Sequence, residues 1–399
     1  MDFLARTVFY LTLQLYLLIK ITRMTRLFFS GKTKRYVQAA LGLFFIWVNI
    51  HGFYISFVGS IWSTPPEWQV YLFVYPFFGW LTASVILLVL YLVIDCISFI
   101  VWSGTKLTAL FSARFASGER AEKIDSGRRR FMLLASAGLT VPPIAASTYA
   151  VIFSSRDFYI NTMELHFPRL PENLRGLKIA QVSDYHCSMY TTTEVIAQTV
   201  GIVNDAKPDF IFLTGDFVPR EADYIYPCMD AVKNFKARYG TFATLGNHDY
   251  WADAPLITRE IERHGIPVFV NRGVTLNIRD EKLNILGVDD LWEGTPDINA
   301  ALKTVEKGPF NILMSHQPPY WDEVTKHGIE LTLSGHTHGG QIGVELLGMG
   351  YHVGELFNKY NKGLFKSSGC MLYVNQGIGF TGPPIRVNTP PEITLITLT

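Results

Sequence analysis

The chain has 399 residues and a formal net charge of +1, which excludes a strongly basic nucleic-acid binder and an acidic tail protein. Its hydrophobic fraction of 49%, with 17% charged residues and a mean hydropathy of +0.19, is too apolar for an ordinary soluble enzyme. The excess lies before about residue 155, so the chain divides into an apolar region, residues 1–154, and a globular domain, residues 155–399.

Phe3 to Ile21 is almost wholly apolar, interrupted mainly by Arg6, Gln14 and Lys20, and is long enough to cross a bilayer as a helix. Val37 to Ile61 is a second span. Val70 to Trp102 is longer than one span needs, and Pro76 is expected to split it into an interfacial start and a spanning helix from about Gly79. Phe131 to Phe153 is the fourth, interrupted near its middle by Pro142-Pro143, which membrane helices tolerate better than soluble ones. Lys20 to Arg35 and the segment from Lys106 through Arg114, Arg120 and Lys123 to Arg130 are basic, whereas Ser63 to Gln69 has no basic residue. The positive-inside rule puts the basic segments in the cytoplasm and the other loop outside. Four spans then leave the residues after about 155 outside; a three- or five-span count is expected to reverse this.

Arg128-Arg129-Arg130-Phe131-Met132 resembles a twin-arginine export signal, but three preceding spans favour a basic stop beside a membrane helix. Asp95 and His51 lie within apolar segments. One isolated acid near a helix end is weak evidence for an ion path. The four cysteines are too few and too scattered for a disulfide scaffold or a zinc ribbon. Cys96 reads as a small buried hydrophobe, and Cys187, next to His186 in an extended segment, as a packing residue on the opposite face. A disulfide among Cys187, Cys228 and Cys370 stays open.

From Leu177 onward strand-like and helix-like runs alternate. Strands are predicted at Leu177–Ser183, Phe210–Thr214, Gly240–Leu245, Leu283–Val288, Asn311–Ser315, Leu331–Ser334, Met371–Val374 and Ile393–Leu398. Amphipathic helices are predicted at Thr193–Asn204, Tyr226–Arg238, Leu256–His264 and Ile298–Glu306. This is an α/β domain with helices over sheet faces, and ligands in such domains bind beyond the carboxyl ends of strands. That is where Asp184-Tyr185-His186, Gly215-Asp216, Gly246-Asn247-His248-Asp249, Ser315-His316 and Gly335-His336-Thr337-His338 fall.

Carboxylate, imidazole and amide groups bind divalent transition metals, and strand ends gather them from distant sequence into one rigid site. Asp184 and His186, two apart, project to one face if the segment is extended. Gly215-Asp216 alone would be an ordinary turn, and His316 alone a satisfied histidine. The order of the motifs, each after a strand, points to a metal site.

This ordered set resembles the calcineurin-like metallophosphoesterase superfamily. Gly335-His336-Thr337-His338-Gly339-Gly340-Gln341-Ile342, and the ending from Val374-Asn375-Gln376-Gly377-Ile378-Gly379 through Pro390-Pro391-Glu392-Ile393-Thr394, are similar to its membrane-associated bacterial branch. The resemblance covers roughly Ser155 to Thr399. It implies a four-layer αββα sandwich, here preceded by an α-helical transmembrane region, and two divalent metal ions (Mn, Fe or Zn) at the sheet edge. Asp184, His186 and His338 would bind one metal, Asn247, His316 and His336 the other, and Asp216 would bridge both. His248 would be the general acid or transition-state donor, with Asp249 orienting it.

The expected activity is hydrolysis of phosphomono- or phosphodiesters by metal-activated hydroxide. The membrane anchor suggests a membrane-surface or periplasmic phosphoester such as a lipid-linked pyrophosphate or phosphodiester. Arg272, Arg386 and Lys359 are weighed as phosphate contacts, although exposed basic residues usually only solvate a surface. Rival readings are a membrane sensor or transporter-associated protein with a non-catalytic phosphoesterase-fold domain, and a nuclease. Intact ligand positions argue against the first, and the absence of a basic stripe makes a nucleic-acid partner unexpected.

Overall fold

A computed structural model describes residues 3–57, 66–111, 118–153, 157–346, 349–382 and 384–399. The chain forms two compact units, Met1–Ile152 and Phe153–Thr399.

The first unit consists mainly of α1 (Phe3–Phe28), α2 (Gly31–Phe57), α3 (Tyr75–Phe111) and α4 (Gly118–Phe153). Among the described residues three stretches are long and apolar enough to cross a membrane: Gly31–Tyr54, Val70–Gly104 and Arg130–Val151. The first expected span forms α1, of which the side chains of residues 3–6 lie outside the described residues; its described remainder is not among these three. α1 still buries Leu13, Leu17 and Met24 in one cluster with Phe45 and Val48 of α2 and Trp80, Leu87 and Tyr91 of α3.

α4 runs through Pro142 and Pro143 as one helix, in keeping with the expected tolerance. The Pro76 expectation needs correction: Pro76 does not divide its span, because a π turn at Val70–Val74 precedes it, with Tyr75 N–H donating to Val70 O. The wider turn opens the helix just where the proline ring would meet a carbonyl of the preceding turn.

Asp95 is paired with the Lys20 ammonium and accepts from Tyr16 Oη at 2.9 Å, so its place within an apolar run is met by packing partners. Cys96 is exposed, contrary to expectation, and all four cysteines are unpaired. Of the residues behind the topology reading, 58–65 and Arg114 lie outside the described residues, as do the side chains of Lys106, Arg120, Lys123, Arg128 and Arg129.

The second unit contains, in chain order, β1 (Tyr159–Leu165), β2 (Lys178–Val182), α5 (Thr193–Asp205), β3 (Phe210–Thr214), α6 (Ile225–Val232), β4 (Thr241–Thr244), α7 (Asn247–Arg263), β5 (Arg272–Ile278) and β6 (Glu281–Gly287). There follow α8 (Ile298–Lys303), β7 (Phe310–Met314), α9 (Trp321–Val324), β8 (Leu331–Ser334), the hairpin β9 (Gly343–Leu346) and β10 (Met349–His352), β11 (Gly363–Ser367), β12 (Cys370–Val374) and β13 (Glu392–Leu398). One sheet has the order β1-β13-β2-β3-β4 and the other β11-β12-β8-β7-β6-β5. Both are mixed: β13 is antiparallel to β2, and β5 and β11 run antiparallel to β6 and β12.

The central strands are apolar at nearly every position because both faces are covered. Along β3, Phe210 and Phe212 point into the layer between the sheets, where they join Ile179, Phe242, Ile285, Phe310, Ile312 and Leu333. Ile211 and Leu213 face the other way, onto Ile196 and Val203 of α5, Cys228 and Val232 of α6, and Ile257 and Ile261 of α7. The second sheet's outer face packs Leu313, Leu372 and Val374 on Ile298 of α8 and on Trp321 and Val324 of α9. Helix, sheet, sheet, helix: the second unit is the four-layer α/β sandwich.

Candidate metal centre

The parallel strands β2, β3 and β4 of one sheet and β7, β8 and β12 of the other all end at the same edge, where their loops are stitched together. Asp184 N–H donates to Gly215 O, His186 N–H to Asp216 O, Gly335 N–H to His316 O and Gly379 N–H to Asp184 O, all between 2.7 and 3.1 Å. The link between sheets is direct, as Gln181 Nε2 of β2 donates to Ser334 O of β8 at 2.9 Å.

Asp184, His186, Asp216, His336 and His338 all have positive φ, between 42° and 71°. The segment holding Asp184 and His186 is therefore not extended. Two left-handed residues, rather than strand alternation, turn both side chains inward. Asp and His tolerate this region better than most residues, and such strain gathers at functional sites.

The side chains converge. His186 Nε2 lies 3.0 Å from His338 Nε2 and 4.0 Å from Asp184 Oδ1, and His338 Nε2 is 3.4 Å from the same oxygen. Asp216 Oδ2 lies 3.5 Å from His186 Nε2 and 3.1 Å from His316 Nε2, and His316 Nε2 is 3.3 Å from His336 Nδ1. Ligands about 2.1 Å from one ion lie about 3.0 Å apart across an octahedral edge and about 3.4 Å apart across a tetrahedral one. Most of these spacings fit such edges, and Asp216 belongs to both groups. Asn247, buried beside them, accepts from Gln317 Nε2 at 3.4 Å.

No bulk competes for the space: a Cβ on Gly246 would stand 2.2 Å from Asp216 Oδ1, and one on Gly335 would stand 2.2 Å from Asp184 Oδ2. The donor set, its spacing and this clearance fit two divalent ions.

Charge follows from burial. Desolvation, then the neighbouring rings, holds His186 and His338 well below the ordinary imidazole range, and His336 is brought down to about 3 by the same causes. Three neutral imidazoles are the ligating form. Burial would also lower His316, but the Asp216 carboxylate outweighs it and raises the ring to about 10. Asp184 is pushed up to about 6, chiefly by burial.

His248 stands at the N-terminus of α7, where its backbone N–H donates to Asp216 Oδ1 at 2.9 Å. Its Nδ1 pairs with Pro219 O, and its ring lies 4.5 Å from that of His186. That leaves Nε2 on the side of the donor cluster; His186, Asp216 and His248 are themselves close enough to share an ion.

The hydrogen bonds of Asp249 are not those expected. Its two oxygens accept from the N–H groups of Gly246, Asp216 and Phe217 at 2.8–2.9 Å, and from Val218 at 3.4 Å. Asp249 thus fixes the loop that carries Asp216, while Pro219 O anchors the His248 ring.

None of the three weighed cations is an open phosphate contact. Arg272 pairs with Glu262 at 2.6 Å and Lys359 with Asp322 at 2.9 Å. Arg386 is buried, donating to the carbonyls of Gln376, Gly379 and Thr389 and lying 3.1 Å from His338 Nδ1. Burial lowers its guanidinium to about 10.

The sequence reading missed Thr381, whose Oγ1 is 2.8 Å from His338 Nε2, and the buried pair Asp290 and Gln317. Each lies outside the strand-end motifs, and nothing local in the sequence marks it.

A family model described as calcineurin-like phosphoesterase matches residues 177–340, which span the motifs from Asp184 to His338. The metallophosphoesterase YkuE of Bacillus subtilis is 33% identical over 234 residues, covering 57% of this chain and 81% of that protein. The chain belongs to the calcineurin-like phosphoesterase family.

Its relatives in the family are not confined to bacteria. A transmembrane protein with a metallophosphoesterase domain from Danio rerio is 29% identical over 365 residues, which is 88% of this chain and 78% of that protein. A metallophosphoesterase of Helicobacter pylori strain J99 is 31% identical over 231 residues, 56% of this chain and 60% of that protein.

Proposed function

We propose that this chain is a membrane-anchored, dinuclear-metal phosphoesterase that hydrolyses phosphomono- or phosphodiesters. The observation that carries the reading is the buried donor cluster at the joint edge of two sheets, with Asp216 shared between its halves. Asp184, His186 and His338 would hold one ion and Asn247, His316 and His336 the other, with Asp216 bridging. Mn, Fe and Zn all suit this nitrogen and oxygen set. When bound, two such ions supply Lewis acidity toward the phosphoryl oxygens and a nucleophilic water at neutral pH.

The rest falls to the chain's own groups. His248 Nε2 delivers a proton to the leaving oxygen, and Pro219 O, on the opposite ring nitrogen, keeps the imidazole aimed through the transfer. The α7 N-terminus and the Asp249-braced loop hold Asp216 in register.

The charge pattern of the anchor supports a location for the reaction. The three long apolar stretches among the described residues do not include the first helix, and dropping it would leave the sides of all later loops unchanged. Basic residues up to Arg35 stay cytoplasmic, and three crossings then lead out. Contrary to the expectation for an odd count, the positive-inside pattern supports an extracytoplasmic catalytic domain with four spans or with these three. The match to the Danio rerio transmembrane protein, which extends over 88% of this chain, supports a membrane-anchored enzyme. A lipid-linked phosphoester at the membrane surface is the substrate that this location favours.

Full-length protein in detergent, loaded with Mn and assayed on aryl phosphomonoesters and phosphodiesters, tests the reading. His248→Asn is expected to lower kcat by about 10²–10⁴-fold with metal content unchanged. Loss of metal from that variant would refute the role of His248, and a metal-loaded wild type with no turnover would refute the enzyme. Hydrolysis of phospholipid-like esters no faster than that of soluble nucleotides would remove the lipid assignment.

A further inference from the structure

Two tryptophans stand beside the reacting centre. The Trp251 ring lies 4.4 Å from the His248 ring and the Trp292 ring 4.3 Å from the His336 ring. Both are exposed, at 43% and 56%. Trp251 Nε1 donates to Glu293 Oε1 at 2.8 Å, tying α7 to the loop after β6.

That loop is fixed from beneath. The buried Asp290 accepts from the N–H groups of Trp292 and Glu293 with Oδ1, at 2.8 Å each, and from Gln317 Nε2 with Oδ2 at 2.5 Å. Gln317 Oε1 in turn accepts from Leu291 N–H at 3.0 Å. The backbone carrying Trp292 is therefore set before any ligand arrives, and an indole has few rotamers to lose. Buried hydrogen bonds spent on holding an exposed indole beside a reactive histidine are the mark of a recognition surface rather than of packing.

We infer that Trp251 and Trp292 form a wall on the leaving-group side of the site, which selects phosphoesters whose leaving group offers a ring face and hydroxyl donors, as a sugar or a nucleoside does. This rests on the phosphoesterase reading above. A ring face stacks on an indole, whereas an open chain has no such face. The Glu293 carboxylate accepts from hydroxyls and repels a leaving group that carries a second phosphate.

Full-length, Mn-loaded protein is assayed on glucose 1-phosphate and uridine 5′-monophosphate against glycerol 3-phosphate and ethyl phosphate, and on their methyl diesters. The wild type prefers the ring esters. Trp292→Ala lowers the ratio of ring to open-chain kcat/KM about tenfold, and Trp292→Phe keeps most of the preference. An unchanged ratio in Trp292→Ala overturns the inference. A larger preference for the uridine ester than for the glucose ester assigns the ring to a nucleoside, and the reverse assigns it to a sugar.

Binding gives an arm independent of turnover. Phenylphosphonate quenches tryptophan fluorescence more than methylphosphonate does in the wild type, and the difference shrinks in Trp292→Ala. Equal quenching by the two phosphonates in the wild type also overturns the wall. No hydrolysis of any ester at full metal content rejects the phosphoesterase reading alone, and the fluorescence comparison then decides the wall by itself.

Discussion

Gly246→Ala isolates the geometric demand of the metal centre, because nothing else about the change is costly. Gly246 has φ −116° and ψ 175°, which alanine adopts freely, so no backbone strain enters. The added Cβ, however, would stand 2.2 Å from Asp216 Oδ1, 2.6 Å from His316 Nε2 and 2.7 Å from His316 Cε1. Ordinary carbon contacts need roughly 3.5 Å, so Asp216 and His316 must together retreat by about 1 Å. Asp216 is held at 2.9 Å by His248 N–H and His316 at 2.7 Å by Thr214 O, so the retreat breaks existing bonds. Overpacking of this kind costs about 1–3 kcal/mol of stability. The functional loss should be larger. Metal sites tolerate errors of about 0.2 Å, and a 1 Å misplacement costs on the order of 10²-fold in rate. Metal content by mass spectrometry, thermal unfolding and turnover are measured together, with Gly201→Ala on α5, where a Cβ meets nothing within 4 Å, as the neutral control. A Gly246→Ala protein that keeps two ions per chain and activity within tenfold of wild type would sink this account of the cradle.

Three further outcomes follow from the same geometry. Asp249→Ala leaves three well-bonded buried N–H groups without an acceptor, at about 1–3 kcal/mol each, and should destabilise the domain severely, as seen in chemical denaturation; Asp249→Asn, keeping one acceptor oxygen, should lose less. Arg386→Met should release the carbonyls of Gln376, Gly379 and Thr389 and weaken metal retention on the His338 side first, read as partial rather than total metal loss on dialysis. Chelation should lower the melting temperature of the full chain and readdition of Mn should restore it, with about 2.7 kcal/mol of stabilisation at a metal concentration of 100 Kd; a melting temperature indifferent to chelator would count against a built metal site.

Strands buried on both faces could be read from the chain almost to the residue. Phe210–Thr214 and Leu331–Ser334 were predicted with the bounds observed, because each is a short run of apolar and hydroxyl residues that closes on a glycine. β1, β5 and β11 escaped notice because they are edge strands with mostly half-buried or exposed residues, and their Asn, Thr and Lys content hides the alternation. α7 was expected from Leu256 but begins at Asn247: its polar first turn faces the site, and Asp253 breaks the regular helix before Pro255.

The ligand candidates were visible because Asp, His and Asn each followed an apolar run. How they are aimed was not, since the left-handed turns at Asp184, His186, Asp216, His336 and His338 have no sequence signature beyond residue types that tolerate them. Nor were Pro219, Asp290, Thr381 and the internal role of Arg386. These act across 29 residues in the His248–Pro219 contact and 48 in the Arg386–His338 contact, and only the folded chain brings them together.

Each half of the donor set is drawn from both sheets. Asp184 and His186 hang from the first sheet and His338 from the second; Asp216 and Asn247 hang from the first, His316 and His336 from the second. Two bound ions would therefore act as staples across the seam between the layers, tying residues 152 apart such as His186 and His338. The same arrangement makes loading a late event in the life of the chain, because no ion finds its full set of partners until the two layers have docked in register. Metal uptake then reports completed folding, and a variant that lets the layers slip would be caught first as a protein that cannot hold its ions.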